Sequence, residues 1–148
     1  MDFIEILTQL YDKLIITEAI YKEVIINGKN KGKQEAIIGD KLIKEKKITI
    51  HKLNEKLMDL KLGLGETKVI HNSINNKCLC MMEDKKAKKI AENYNLDVRK
   101  IPISILEAYQ NKLIDNTEFE DYLIRWVKYS SPSYEEVYFV KKMKELLE

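Results

Sequence analysis

The stretch "CLCMMEDKKAKKIAENYNLDVRK", Cys78 to Lys100, decides the fold. It opens on the apolar run "CLCMM", which reads as a buried strand. A helix follows, in which Ala87, Ile90, Ala91 and Tyr94 line one face while Lys85, Lys86, Lys88, Lys89 and Glu92 face water. "LDVRK" then reads as an edge strand. Strands joined through a helix of this length are parallel, because a hairpin turn cannot connect parallel neighbours.

The same alternation extends toward the N-terminus. "FIEILTQLY" places Phe3, Ile6, Leu7 and Leu10 on one face and predicts a helix. "KLIIT" is a short buried strand, and Thr17 can cap the helix "EAIYKEVII". The basic "NGKNKGK" reads as a solvent loop, "QEAIIGDKLIKEK" as a helix interrupted by Gly39, and "ITIH" as a second short strand. After the irregular "KLNEKLMDLKLGLG", residues Glu66 to Asn76 form a helix. Alternating strands and helices predict an α/β fold with a mostly parallel sheet.

Beyond the fourth strand the pattern changes. "PISILEAYQNKLI" is a helix with Pro102 near its first turn, and the C-terminal third contains only helices. Thr117 with Glu120, and Ser133 with Glu136, read as capping boxes. Phe119, Tyr122, Leu123, Trp126 and Val127 form an apolar stripe that predicts core packing.

A chain of 148 residues with 45% apolar content has the size and the core of one domain, so residues 1–148 are expected to fold as a unit. The formal charge is +2 although 34% of residues are charged, so no overall field commits the protein to nucleic acid. The N-terminus carries no basic leader, and no apolar run is long enough for a membrane span. A cytoplasmic protein without membrane contact is expected. Cys78 and Cys80 stand two apart on one strand face with no matching pair to complete a zinc site, and read as reduced core residues.

In parallel α/β sheets, ligands bind where strands end and helices begin. "CLCMMEDKKAKK" puts Glu83 and Asp84 at such a junction, and "LGLGETKVI" puts Glu66 at a helix start. Each has an ordinary reading as a helix-start acid, Asp84 as an N-cap. Glu23 falls close to the apolar stripe of its helix, where an acid needs a partner or a cation. Carboxylates converging in one cleft repel one another and call for a cation or for a lysine such as Lys85 or Lys100. Hard oxygen ligands without histidine or thiol select Mg²⁺ or Mn²⁺, and such ions serve phosphodiester hydrolysis.

"KLIITEAIYKEVI", "LGLGETKVI", "MMEDKKAKKIAENYNLDV" and "SPSYEEVYFVKKMKELL" resemble, in order and spacing, the PIN-domain-like proteins, in a prokaryotic branch related to the toxins of toxin-antitoxin pairs. The resemblance implies a three-layer α/β fold with a central parallel sheet of about five strands. It also implies an acid cluster holding Mg²⁺ or Mn²⁺ for RNA cleavage. By motif, Glu23 resembles the acid after the second strand, Glu66 the acid opening the central helix, and Asp84 the acid ending the fourth strand. Glu83 stands where relatives carry a second Asp. Lys85, Arg99 and Lys100 are the candidate phosphate contacts. RNA, an antitoxin protein and a second copy of the chain are the implied partners.

Set against that family pattern, the first strand and its terminal Asp are missing before "FIEILTQLYDKLII", which makes the expected domain truncated at its N-terminus. Asp2 does not replace the missing acid, because it sits within the helical pattern. A longer active nuclease, a catalytically degenerate module binding RNA or protein, and the remnant of a decaying gene all remain open. Loss of a central strand would leave unpaired edges on its two neighbours, a gap for a partner chain or a rearranged sheet to fill.

Overall fold

A computed structural model describes residues 2–52 and 59–148. Part of the irregular stretch before Glu66 lies outside the described residues. Helix α1 (Phe3–Leu10) starts at Asp2, whose side chain accepts from the Ile4 N–H at 3.3 Å. Asp2 is therefore the N-cap. Strand β1 (Leu14–Thr17) follows, and Thr17 caps α2 (Glu18–Ile20) by accepting from the Ile20 N–H. The helix continues through a π-helical stretch, Tyr21–Ile26, which carries Glu23, into α3 (Asn27–Asn30).

The expected loop "NGKNKGK" is thus helical in its first half. Gly28, expected in a solvent loop, is buried where α3 meets α4 (Gln34–Lys44). A methyl group on it would come within 2.7 Å of the Ala36 Cβ. Gly39, the expected interruption of α4, has the same role against Ile25, so both glycines allow close helix approach.

Strand β2 (Ile48–His51) pairs in parallel with β1, Leu14 opposite Ile48 and Thr17 opposite His51. Helix α5 (Leu64–Asn76) leads to β3 (Cys80–Met81), α6 (Lys85–Asn93) and β4 (Val98–Arg99), and β3 pairs in parallel with β4. The strands are parallel, as the alternation requires. They form two separate two-stranded sheets, β1 with β2 and β3 with β4. The fold is mixed α/β, with a helical C-terminal region of α7 (Ile101–Gln110), α8 (Asn116–Ser130) and α9 (Tyr134–Leu147).

The largest core lies among these helices. Ile6 of α1 packs with Ile105 and Leu106 of α7, with Phe119, Leu123 and Trp126 of α8, and with Val140 of α9. The predicted stripe supplies Phe119, Tyr122, Leu123 and Trp126 to it, although Val127 lies outside at 38% exposure. The start of α8 also differs from expectation. Its capping box is Asp115 with Glu118, not Thr117 with Glu120: Asp115 accepts from the Glu118 N–H at 2.8 Å and Glu118 accepts from the Asp115 N–H at 2.9 Å. Asp is as good a cap as Thr or better, and it also has a glutamate three residues on. Glu120 pairs instead with Lys144 at 3.6 Å.

Cys80 is buried and Cys78 half-buried, both free thiols. The Cys80 S–H donates to the Ser73 Oγ at 2.9 Å, which fixes β3 to α5.

Candidate active site

Asp84 and Glu83 close the turn between β3 and α6, and their roles separate at once. Asp84 is the N-cap: its Oδ1 accepts from the Ala87 N–H at 2.8 Å. Its Oδ2 has no partner among the described residues. Glu83 is engaged through both oxygens. Oε1 accepts from the Ile101 N–H at 2.7 Å, and Oε2 accepts from the Trp126 indole N–H at 3.0 Å. The carboxylate thus ties the end of β3 to the first residue of α7 and to the core face of α8. An orphan N–H at a helix start and a buried indole are both satisfied by one side chain.

Glu66 occupies the third position of α5, whose N-cap is Gly63. Negative charge suits the positive end of the helix there. The carboxylate turns back over Gly63, so that a methyl group on that glycine would collide with it. It has no hydrogen-bond or ionic partner among the described residues. The Lys86 ammonium donates to the Lys61 carbonyl at 3.3 Å, which ties the first turn of α6 to the turn before α5. The helix starts that carry Glu66 and Asp84 are linked through this contact.

One cavity lies at the junction and a second adjoins it through Tyr129. The first, of about 580 Å³, is lined by Glu83, Asp84, Lys85, Lys86, Lys100 and Glu136, with Tyr129 and the serines at 130, 131 and 133. The other, of about 720 Å³, holds Glu23 with Lys31, Lys33 and Glu35. Tyr129, exposed at the end of α8, lines both cavities. Glu23 therefore lies in the neighbouring cavity, and Glu66 lines neither.

The expected lysine pairing falls elsewhere. Lys85 and Lys100 do not neutralise Glu66 or Asp84; both face Glu136 of α9, at 3.5 and 3.6 Å. Glu136 was expected to reach back to its own helix start. Only half of that box forms, the Ser133 Oγ accepting from the Glu136 N–H at 3.2 Å, and the carboxylate takes the two ammonium groups. Its sequence context reads fully as a cap, so nothing local signals this role. Nor does anything in the sequence single out Tyr129, which follows the core stripe of α8.

Arg99 is likewise held within the fold. Its guanidinium pairs with the Glu107 carboxylate and donates to the Tyr11 hydroxyl at 3.3 Å, and its Cζ lies 5.9 Å from the Tyr11 ring centre. Burial works against the charged form, yet the Tyr11 hydroxyl and the Glu107 charge outweigh it and raise the guanidinium pKa. Tyr11 in turn is within 2.9 Å of the Ser104 Oγ. This network joins β4, the end of α1 and α7.

The donor set suits a hard divalent cation in kind, since it offers only carboxylate oxygens. Among the described residues no three acidic, histidine or cysteine side chains gather to hold an ion. What remains is the Glu66 carboxylate and the second oxygen of Asp84. An ion of the Mg²⁺ type is held by one or two carboxylates and keeps waters and substrate phosphate oxygens for the rest of its shell; of these two acids only Asp84 lines the cavity at the start of α6. Among the described residues no helix is long and apolar enough to cross a membrane.

A family model described as a PIN domain matches residues 1–131, a span that includes Glu23, Glu66, Glu83, Asp84, Lys85, Arg99 and Lys100. It ends before α9, so "SPSYEEVYFVKKMKELL" and with it Glu136 lie mostly beyond the match. Comparison with curated proteins and with solved structures returns no match. Nuclease-type chemistry assisted by divalent metal is the general character of this family. On the extent of the family match and the mixed α/β architecture, the chain belongs to the PIN-domain family.

Proposed function

We propose that this chain is a PIN-type ribonuclease that depends on Mg²⁺ or Mn²⁺ and hydrolyses RNA phosphodiesters at the start of α6. The observation that carries the reading is the pair of carboxylates at two linked helix starts, Glu66 without a partner among the described residues and Asp84 with one oxygen unused. A bound divalent ion supplies charge stabilisation at the phosphate and activates water at neutral pH. Glu66 and Asp84 are the residues that would hold it.

The rest of the chain's contribution is positional. Asp84 is fixed by its cap bond, so its free oxygen is presented in one orientation. Glu83 is a positioning residue: its two bonds hold the β3–α6 turn against α7 and α8. Lys85, Lys86 and Lys100 line the same cavity and offer point charges for RNA phosphates, two of them now occupied by Glu136. Glu23, with Lys31 and Lys33 in the adjoining cavity, extends the charged surface past Tyr129.

A second reading, a module that binds RNA without cutting it, is favoured by one observation, the lack of a third converging acid among the described residues. Incubation of the chain with end-labelled single-stranded RNA and millimolar Mn²⁺ separates the two. The nuclease reading expects cleavage that EDTA stops and that Asp84→Asn lowers at least a hundredfold. Asn serves as an N-cap as well as Asp does, so that variant keeps its helix start. RNA binding with a steep salt dependence and no cleavage would favour the module.

A further inference from the structure

A cavity of about 480 Å³ lies between α6, β4, α7 and α9. It shares Lys85, Lys100, Ser133 and Glu136 with the cavity at the start of α6, so the two adjoin. Their linings differ. The cavity at α6 is lined mainly by charged and hydroxyl side chains, whereas this one has an apolar wall of Pro102, Ile103, Trp126, Phe139 and Val140. Trp126 and Val140 are buried, but the Phe139 side chain is left 55% exposed. Helix α9 holds it there, pinned by Val140 in the core and by Lys144, which pairs with Glu120 of α8 at 3.6 Å.

The lysines give the second half of the chemistry. Lys86 lines the first cavity, Lys88 the second, and Lys85 and Lys100 line both. A row of ammonium groups along two joined cavities suits repeated negative charge, which a single carboxylate or headgroup does not supply. Repeated charge with flat apolar groups between is the chemistry of single-stranded nucleic acid. Charge alone adds little here, because Lys85 and Lys100 already face Glu136 and Lys88 faces Glu92 at 3.8 Å; Glu135 also lines the apolar cavity. A phosphate would exchange one anion for another, so contact between a base and the apolar wall must supply the selectivity.

We propose that the second cavity is a base-binding subsite, in which the base next to the phosphate held at the start of α6 stacks on the Phe139 ring. Base stacking on an aromatic side chain has this strength and is tolerant of sequence, since every base has a π-face. Trp126 is also the residue that Glu83 holds at 3.0 Å, which fixes the subsite to the turn bearing Asp84. Phe139 lies beyond the residues that the family model matches. The kind of ligand rests on the ribonuclease reading, yet the subsite is tested without metal or cleavage, so loss of catalysis and loss of base binding are read separately.

Two ligands of equal charge are titrated into the full chain in EDTA at about 50 mM salt: a pentamer of adenylate, and a pentamer of ribose phosphate lacking its bases. Emission from Trp126, the chain's single tryptophan, is expected to fall with the first ligand and to stay unchanged with the second. The base-bearing pentamer is expected to bind at least tenfold more tightly. Phe139→Ala is expected to weaken it at least fivefold and to leave the abasic pentamer unchanged, with the wild-type circular dichroism spectrum retained. Phe139→Tyr, which keeps a ring, is expected to bind within about twofold of wild type. Tyr138→Ala serves as control: Tyr138 is 53% exposed on the same helix, faces Lys142 and does not line the cavity, so no change is expected. Equal affinity for the two pentamers, no binding of either, or an unchanged affinity in Phe139→Ala would each overturn the proposal.

Discussion

Replacing Glu83 with Gln distinguishes a structural clamp from a metal ligand. The carboxylate accepts two hydrogen bonds, one from a helix-start N–H and one from the Trp126 indole. Gln keeps one acceptor oxygen, so one bond is lost and an amide N–H is turned toward a donor. A hydrogen bond to a charged group contributes about 1.5–3 kcal/mol, and a buried donor left unsatisfied costs a further ~1–3 kcal/mol. Glu83 is only half-buried and the remaining amide group can still turn toward water, so we take the loss of the charged bond alone, about 1.5–3 kcal/mol, as the expected cost. In a domain of this size that lowers the Tm by roughly 3–10 °C. Urea unfolding can be followed through Trp126 itself, the chain's single tryptophan. A cycle with Trp126→Phe, read by circular dichroism, isolates the indole bond, with a coupling of about 1 kcal/mol expected. Additive effects within ~0.3 kcal/mol, or an unchanged urea midpoint in Glu83→Gln, would refute the clamp.

Other expectations follow from single contacts. Asp115→Ala should destabilise by about 1 kcal/mol while Thr117→Ala changes stability by less than ~0.5 kcal/mol, measured by urea melts, because Asp115 is the cap of α8. Burial raises the Cys80 thiol pKa, and its bond to Ser73 only partly opposes this. The folded state holds the proton more tightly than the unfolded one, so this contribution to stability is complete below the unfolded thiol pKa of about 8.5 and is lost as pH rises through the higher folded value. Melting curves of the wild type and of Cys80→Ala should therefore converge above pH ~8.5, and iodoacetamide should modify Cys78 before Cys80. Glu136→Gln removes the carboxylate facing Lys85 and Lys100 and should tighten RNA binding about three- to tenfold at low salt, seen by filter binding; unchanged affinity would mean that those lysines do not meet phosphate.

Local chemistry was legible in the sequence and long-range pairing was not. The amphipathic period of α6, the cap at Thr17 and the apolar face of α8 are properties of neighbouring residues, and they form as read except at Tyr94 and Val127, which end exposed. Gly28 and Gly39 misled because a glycine reads the same whether it breaks a helix or lets two helices approach. At α8 two overlapping cap patterns competed, and Asp115 prevailed. Asp84 was recognisable as a cap, and Glu83 was not recognisable as a clamp, because its partners Ile101 and Trp126 lie 18 and 43 residues away. The same distance in sequence hid the hold of Glu136 on Lys85 and Lys100. The division of the four described strands into two separate sheets likewise rests on pairings between residues distant in sequence.

The central claim, that Glu66 and Asp84 hold a divalent ion, is tested most directly by calorimetric titration of the full chain with Mn²⁺. The account predicts about one ion bound per chain, with binding abolished in Glu66→Gln and in Asp84→Asn while both variants keep the wild-type circular dichroism spectrum. No heat of binding up to 10 mM Mn²⁺, or binding that survives both substitutions, would contradict it.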